Sequence, residues 1–227
     1  MTQPRPSDPP IWVVKIGGSL WSGAELKPWL ATLAAVRCAR IVVVPGGGPF
    51  ADVVRATQPR IGFGDAAAHR MAILGMEQYA HALLDLEPAL EPASTFPTLR
   101  ESLGAVVWIP SILAASAPLP ESWAVTSDSL AAWLAGALGA ARVILLKSAA
   151  LPPGPVAIGD LCAAGILDEA MPGLAAAARY EIRCVESGQR QAFAAACEAG
   201  AAFGTLVLPD GQARLETRPE CLSTSCS

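Results

Sequence analysis

Residues 11–51 read IWVVKIGGSLWSGAELKPWLATLAAVRCARIVVVPGGGPFA. Twice in this stretch a short β-branched apolar run ends in glycines and passes into a helical pattern. Ile11–Ile16 runs into Gly17-Gly18-Ser19, and Ile41–Val44 runs through Pro45 into Gly46-Gly47-Gly48. Apolar runs bounded by glycine or proline fit strands buried on both faces. Leu26–Ala39 and Pro49–Ala56 fit the helices that follow, with Pro49 suited to an early helix position. Two strand–helix units in succession imply parallel strands with crossover helices.

The alternation continues to the end of the chain. Strands are expected at Ala105–Ile109, Arg142–Leu146, Ile182–Val185 and Thr205–Leu208. Helices are expected at Ala66–Leu84, Ser129–Leu138, Glu169–Ala178 and Gln189–Ala199. The fold class is therefore α/β: a three-layer αβα sandwich with a mainly parallel central sheet. Its ligand site is expected at the carboxyl ends of the strands. Met1–Pro10 reads as a loose arm and Cys221–Ser227 as a frayed tail. Residues 11–220 read as one domain. The proline-rich join at Pro118–Pro120 divides it into an N-terminal lobe, 11–117, and a C-terminal lobe, 118–220.

Composition narrows the function classes. At 227 residues and 52% hydrophobic, the chain can bury a large core. A net charge of −4 argues against a nucleic-acid footprint or a basic membrane surface. No apolar run reaches the roughly 18 residues of a spanning helix. The longest, Gly104–Leu119, is interrupted by Pro110 and Pro118. The first ten residues hold no apolar signal-peptide core. Six scattered cysteines without a CxxC motif read as reduced thiols of a cytoplasmic protein. Two histidines cannot build a histidine-rich metal centre, and no protein-held metal site is expected.

The chemistry lies at the strand ends. Lys15 precedes Gly17-Gly18-Ser19, a combination that suits an anion: glycines bring backbone N–H groups close and an ammonium adds a movable charge. Gly46, Gly47 and Gly48 offer a second such cradle at the next strand end. Neither loop fits GxxxxGK[ST] or GxGxxG. Two glycine loops have no evident packing role in the sequence, which weighs against a purely structural subunit. The chain has three lysines, Lys15, Lys27 and Lys147, among 16 basic residues. Two of them stand at strand ends, where a compact flexible charge is useful. Lys147 also fits an ordinary strand-end side chain with its head in water. Asp128 or Ser127 either caps the helix that follows or, for Asp128, holds lysine ammonium groups at the site. His69 falls on the apolar face of its helix, as a satisfied core residue or as a substrate contact.

Four segments in order resemble the amino acid kinase superfamily, over Ile11 to about Leu208. They are Lys15–Leu20, Gly46–Gly48, Asp128 with Leu130-Ala131-Ala132 and the strand into Lys147, and Gly204-Thr205. The resemblance implies an ATP-dependent phosphotransferase with Mg2+, and self-association into a dimer or higher oligomer. It assigns catalytic roles to Lys15 and Asp128, and Lys147 is expected to join them in place of the family's second phosphate-binding lysine. Gly17, Gly18, Ser19, Gly46, Gly47, Gly48 and Ser148 would bind phosphate or nucleotide. His69, Arg70, Thr126 and Ser127 would lie near the acceptor, in a scheme where the N-terminal lobe binds acceptor and the C-terminal lobe nucleotide. Ala68–Ile73 and Met76–Tyr79 carry a narrower likeness, to the methanofuran-pathway kinases of one-carbon metabolism. That likeness implies phosphorylation of (5-(aminomethyl)furan-3-yl)methyl phosphate to its diphosphate. Uridylate-type kinases, and a non-catalytic binding or storage protein on the same fold, are the alternatives. The nucleotide lobe departs from the family. Where members commonly follow the strand with Thr-Asp, this chain has Lys147-Ser148, and a later GG-x-x-x-K segment is absent.

Overall fold

The computed structural model describes residues 8–212. Most of the arm, and the tail with Cys221 and Cys226, lie outside the described residues. In chain order the elements are β1 (Ile11–Ile16), α1 (Leu26–Ala35), β2 (Arg40–Pro45), α2 (Gly48–Ile61), α3 (Asp65–Leu86), β3 (Glu91–Ala93), α4 (Phe96–Glu101), β4 (Val106–Trp108), α5 (Ser111–Ala114) and α6 (Ser127–Leu138). They continue with β5 (Arg142–Lys147), β6 (Val156–Ala157), α7 (Ile158–Ala163), α8 (Met171–Ala176), β7 (Glu181–Glu186), α9 (Arg190–Ala199) and β8 (Thr205–Leu208).

One eight-stranded sheet has the order β3-β4-β2-β1-β5-β7-β8-β6. Its pairings are parallel except β7 with β8. The chain builds outward from β1 through β2, then crosses back to lay β5 on the other side of β1. The order reverses at the β1–β5 seam, where loops diverge and leave a crevice at the carboxyl ends. Helices cover both faces, giving the expected three layers. On one face Val13, Val42 and Leu145 pack with Leu130, Leu134 and Leu138 of α6. On the other Val14, Val43 and Ile144 pack with Trp29 and Leu30 of α1 and Phe193 of α9.

The six expected strands are all present. The two extra ones, β3 and β6, are short and carry no periodic pattern. Pro92 interrupts the first, and pairing with β4 and β8 defines them. The helix expected to reach Ala39 stops at Ala35. Val36 turns to extended backbone, and Arg37 donates to the carbonyls of Ala34 and Val36 at 2.8 and 3.0 Å. α2 runs past Pro59 to Ile61, although Pro59 has no N–H to donate one turn back. It ends on Gly62, whose φ of +87° closes an N–H bond to Gln58. The helix expected over Glu169–Ala178 shortens to Met171–Ala176. Three short helices, α4, α5 and α7, were not expected. α4 is fixed by a capping box between Thr95 and Thr98.

Candidate active site

Strand periodicity brings the two lysines together. Lys15 pairs in register with Leu145, and side chains alternate by two, so Lys15, Leu145 and Lys147 share the sheet face that α6 covers. Asp128 stands in the first turn of α6 and meets both ammonium groups. Lys147 Nζ donates to its Oδ2 at 2.5 Å and to the Ile166 carbonyl at 2.6 Å. Lys15 Nζ lies 2.9 Å from Oδ1, an ion pair to the other carboxylate oxygen. Asp128 is buried, with 4% of its side chain exposed. Burial pushes its pKa up, but the charges of Lys15 and Lys147 outweigh it and hold the carboxyl below its ordinary value. Burial, with repulsion from Lys15, lowers the pKa of Lys147 against the opposing pull of Asp128. With both lysines charged, two ammoniums and one carboxylate leave a net positive centre where an anion would arrive.

Asp128 is free for this role because another residue caps its helix. Asp168 accepts from Thr126 N–H at 2.8 Å, Ser129 N–H at 3.0 Å, Thr126 Oγ1 at 2.6 Å and Ser129 Oγ at 2.8 Å. The cap expected from Asp128 or Ser127 is therefore supplied from 39 residues downstream of Ser129. Sequence reading missed Asp168, because a cap reaching from a distant loop leaves no local spacing.

The glycine loops are locked to each other. A Cβ on Gly18 would come within 2.8 Å of Gly48 N, and one on Gly46 within 2.6 Å of Gly18 N. Gly46 N–H donates to Ile16 O at 2.9 Å, and Gly48 has φ +54°. The glycines therefore do have a packing role, which corrects the expectation that they had none. Gly17 lies against Lys15: a Cβ there would be 3.7 Å from Nζ. Ser148, after β5, hydrogen-bonds Ser19 between hydroxyls at 2.9 Å, tying the first loop to the β5 end.

Beside these loops opens a cleft of about 360 Å³. Lys15, Gly18, Ser19, Gly47 and Gly48 form one end, and His69, Thr126 and Ser127 line it further along. Ile73, Met76 and Leu130 form an apolar wall. His69 is buried, and burial lowers its pKa more than the Glu121 charge and Ser122 backbone raise it. Gly17, Gly46, Asp128, Lys147 and Ser148 support this end from behind, without lining the cleft. Arg70 does not line it either; it pairs with Glu121 at 3.2 Å. Sequence reading missed Arg55 and Trp123, which do line it. Arg55 follows Gly48 by seven residues, two helical turns, so projecting α2 would have found it. Trp123 lies in an irregular connection and has no such signal. Among the described residues no group of three or more His, Cys, Asp or Glu side chains could hold a metal. No helix there is long and apolar enough to cross a membrane. Cys38, Cys162, Cys184 and Cys197 are free thiols.

Residues 10–150 match the model of the amino acid kinase family. The [5-(aminomethyl)furan-3-yl]methyl phosphate kinase of Methanocaldococcus jannaschii is 33% identical over 139 residues, which is 59% of this chain and 63% of that relative. The match thus spans under two thirds of the relative's length. The uridylate kinase of Archaeoglobus fulgidus superposes with TM-score 0.65 at 19% identity, covering 86% of this chain and 99% of that one. The UMP kinase of Bacillus anthracis superposes with TM-score 0.69 at 13% identity, covering 90% and 98%. At such identities the structural likeness speaks for the fold, while the family model covers more than half of the sequence, including both glycine loops, Asp128 and Lys147: the chain belongs to the amino acid kinase family.

Proposed function

We propose that the chain is a kinase that transfers a phosphoryl group from ATP to a small phosphate-monoester acceptor. The observation that carries this reading is the pair of strand-end lysines sharing one buried aspartate beside two interlocked glycine loops. Phosphoryl transfer needs positioning and charge neutralisation more than covalent chemistry. A phosphate acceptor is ionised at neutral pH, so its oxygen attacks without a strong general base. Lys15, paired with Asp128 at 2.9 Å, can turn its ammonium toward the transferring group. The loop N–H groups donate to phosphate oxygens, and α2, starting at Gly48, adds the positive end of its dipole. Lys147 acts behind the site by fixing Asp128. A metal accompanying the nucleotide would sit on its phosphate oxygens, because Asp128 is already occupied by two lysines. Such a metal supplies charge neutralisation.

The acceptor occupies the cleft lined mainly by the 11–117 half, with His69 close by, and the nucleotide lies over the ends of β5 and β7. (5-(Aminomethyl)furan-3-yl)methyl phosphate is the first acceptor to try, on the strength of the 33% identical relative. Self-association is part of the proposal; Val53, Ile61, Leu74 and Ile112 expose apolar surface on α2, α3 and α5. The test is calorimetric titration with Mg·ATP, followed by coupled ADP detection with that acceptor and with UMP. Acceptor-dependent ADP release supports the kinase. Nucleotide binding without turnover of any acceptor favours a non-catalytic binding protein, which the Lys147-Ser148 departure motivates. Absence of nucleotide binding defeats the kinase reading.

A further inference from the structure

The cleft is poor in cations. Among the described residues that line it, Lys15, Arg55 and His69 carry basic groups. Burial holds His69 below its ordinary imidazole pKa, so it is neutral near pH 7. Lys15 serves the transferring group in the reading above, on which the identity of the ligand here rests. An acceptor that is itself a phosphate monoester brings two negative charges of its own and needs a further cation.

Arg55 is placed to be that cation. Gly48, Ala51, Asp52 and Arg55 all line the cleft, at the three- and four-residue spacing of one helix face. Helical side chains lean toward the N-terminus. Arg55 leans that way, its Nη1 3.5 Å from Asp52 Oδ1 one turn nearer the glycine loop. Those side chains are 54% and 74% exposed, so their pairing is weak and exchangeable. The guanidinium carbon lies 4.4 Å from the centre of the Trp123 ring. Trp123 is itself held: its Nε1–H donates to Gln58 Oε1 at 2.6 Å, and Gln58 Nε2 donates to Asp65 at 2.7 Å. Stacking engages the face of a guanidinium and leaves its in-plane N–H groups for other partners.

We propose that Arg55, stacked on Trp123, binds the acceptor's own phosphate in exchange for the Asp52 carboxylate. The cleft then selects phosphate monoesters over the corresponding alcohols.

Binding tests this without turnover. (5-(Aminomethyl)furan-3-yl)methyl phosphate, UMP and phenyl phosphate are each titrated by calorimetry into the wild type, Arg55→Gln and Arg55→Lys. The dephosphorylated alcohols or nucleoside are titrated in parallel. At least one monoester is expected to bind the wild type at least tenfold more tightly than its alcohol. Arg55→Gln is expected to weaken that monoester by about 10- to 100-fold and leave the alcohol unchanged, while Arg55→Lys recovers part of the loss. Arg60→Gln, on the same helix outside the cleft, binds as wild type. Thermal melts confirm that the variants are folded. Equal affinity of Arg55→Gln and wild type for every monoester overturns the proposal, as does wild type that binds no monoester or does not prefer it to the alcohol. Arg55-dependent binding with no ADP release in any assay keeps the phosphate anchor and defeats the kinase reading. Turnover with an unchanged acceptor KM in Arg55→Gln does the reverse.

Discussion

The ammonium of Lys147 stands 2.5 Å from Oδ2 of Asp128, on the opposite side of the carboxylate from Lys15. The three charges form a buried unit in which no member can be removed neutrally. Asp128→Asn leaves two ammonium groups with no counter-charge, and breaking such a unit costs about 3–5 kcal/mol. Denaturant unfolding should show that loss. The double variant Asp128→Asn with Lys147→Met should recover part of it, because one stranded charge is gone. If the single variant unfolds at the wild-type midpoint, the unit does not stabilise the fold.

Lys15→Ala should reduce kcat by roughly 10²–10³-fold, the usual loss for one charge-stabilising contact at a transferring group. Arg in its place should not restore the rate, since a planar fork cannot replace a compact ammonium against Gly17. Steady-state rates with a working acceptor check this, and undiminished turnover in Lys15→Ala removes Lys15 from the mechanism.

Asp168→Ala should act on stability through α6. It strips the cap from Thr126 and Ser129 and leaves their N–H groups unpaired, at about 2 kcal/mol. The ATP affinity of the fraction that remains folded should change little. Urea unfolding alongside nucleotide titration separates the two effects. A wild-type midpoint would show that the cap contributes nothing.

Gly18→Ala should disrupt the joint between the two loops. The added methyl would fall 2.8 Å from Gly48 N, a backbone atom that cannot swing aside. Overpacking of this kind costs about 1–3 kcal/mol, and the shifted loop should also weaken phosphate binding. Gly62→Ala provides the contrast: nothing lies within 4 Å of its added Cβ, and its cost is confined to the φ of +87°. Thermal melts and nucleotide titration of both variants give the comparison. Retained nucleotide affinity in Gly18→Ala would show that the loop joint does not shape the site.

His69 sets a pH dependence with a definite sign. Its folded-state pKa lies below the ordinary 6.5, first because it is buried. Between the folded value and 6.5 the unfolded chain binds the extra proton and the folded chain does not, so stability falls as pH drops through that window. The penalty is complete below the folded pKa. Asp128, also lowered, contributes stability above the ordinary carboxylate value of 3.8, and loses it at more acid pH as its folded value is crossed. The unfolding free energy of the wild type relative to His69→Gln, followed from pH 7.5 down to 5, should be steady at the top of this range and fall as pH drops below 6.5. Parallel curves would show that His69 is not linked to folding.

Much of the molecule is legible in local spacing. Ile11–Val14, Ile41–Val44 and Val143–Leu146 are continuous apolar runs because parallel strands are buried on both faces. The glycine loops and strand-end lysines mark the carboxyl ends where such sheets bind ligands. The edge strands Glu91–Ala93 and Val156–Ala157 were not legible, since their state comes from a neighbour and not from their own pattern. Arg70 shared a helix with His69 in sequence yet turns outward to Glu121.

The sequence by itself determined the layered α/β architecture, the two phosphate-suited loops and the candidate charges, because each rests on a periodicity or composition within a few residues. Tertiary structure alone decided that Lys15 and Lys147 share Asp128, that Asp168 caps the helix and so frees Asp128, that Gly18 and Gly48 are in contact, and that Arg55 is stacked on Trp123. Those are contacts between segments far apart in the chain. They are fixed by strand register and helix placement, which no local spacing encodes.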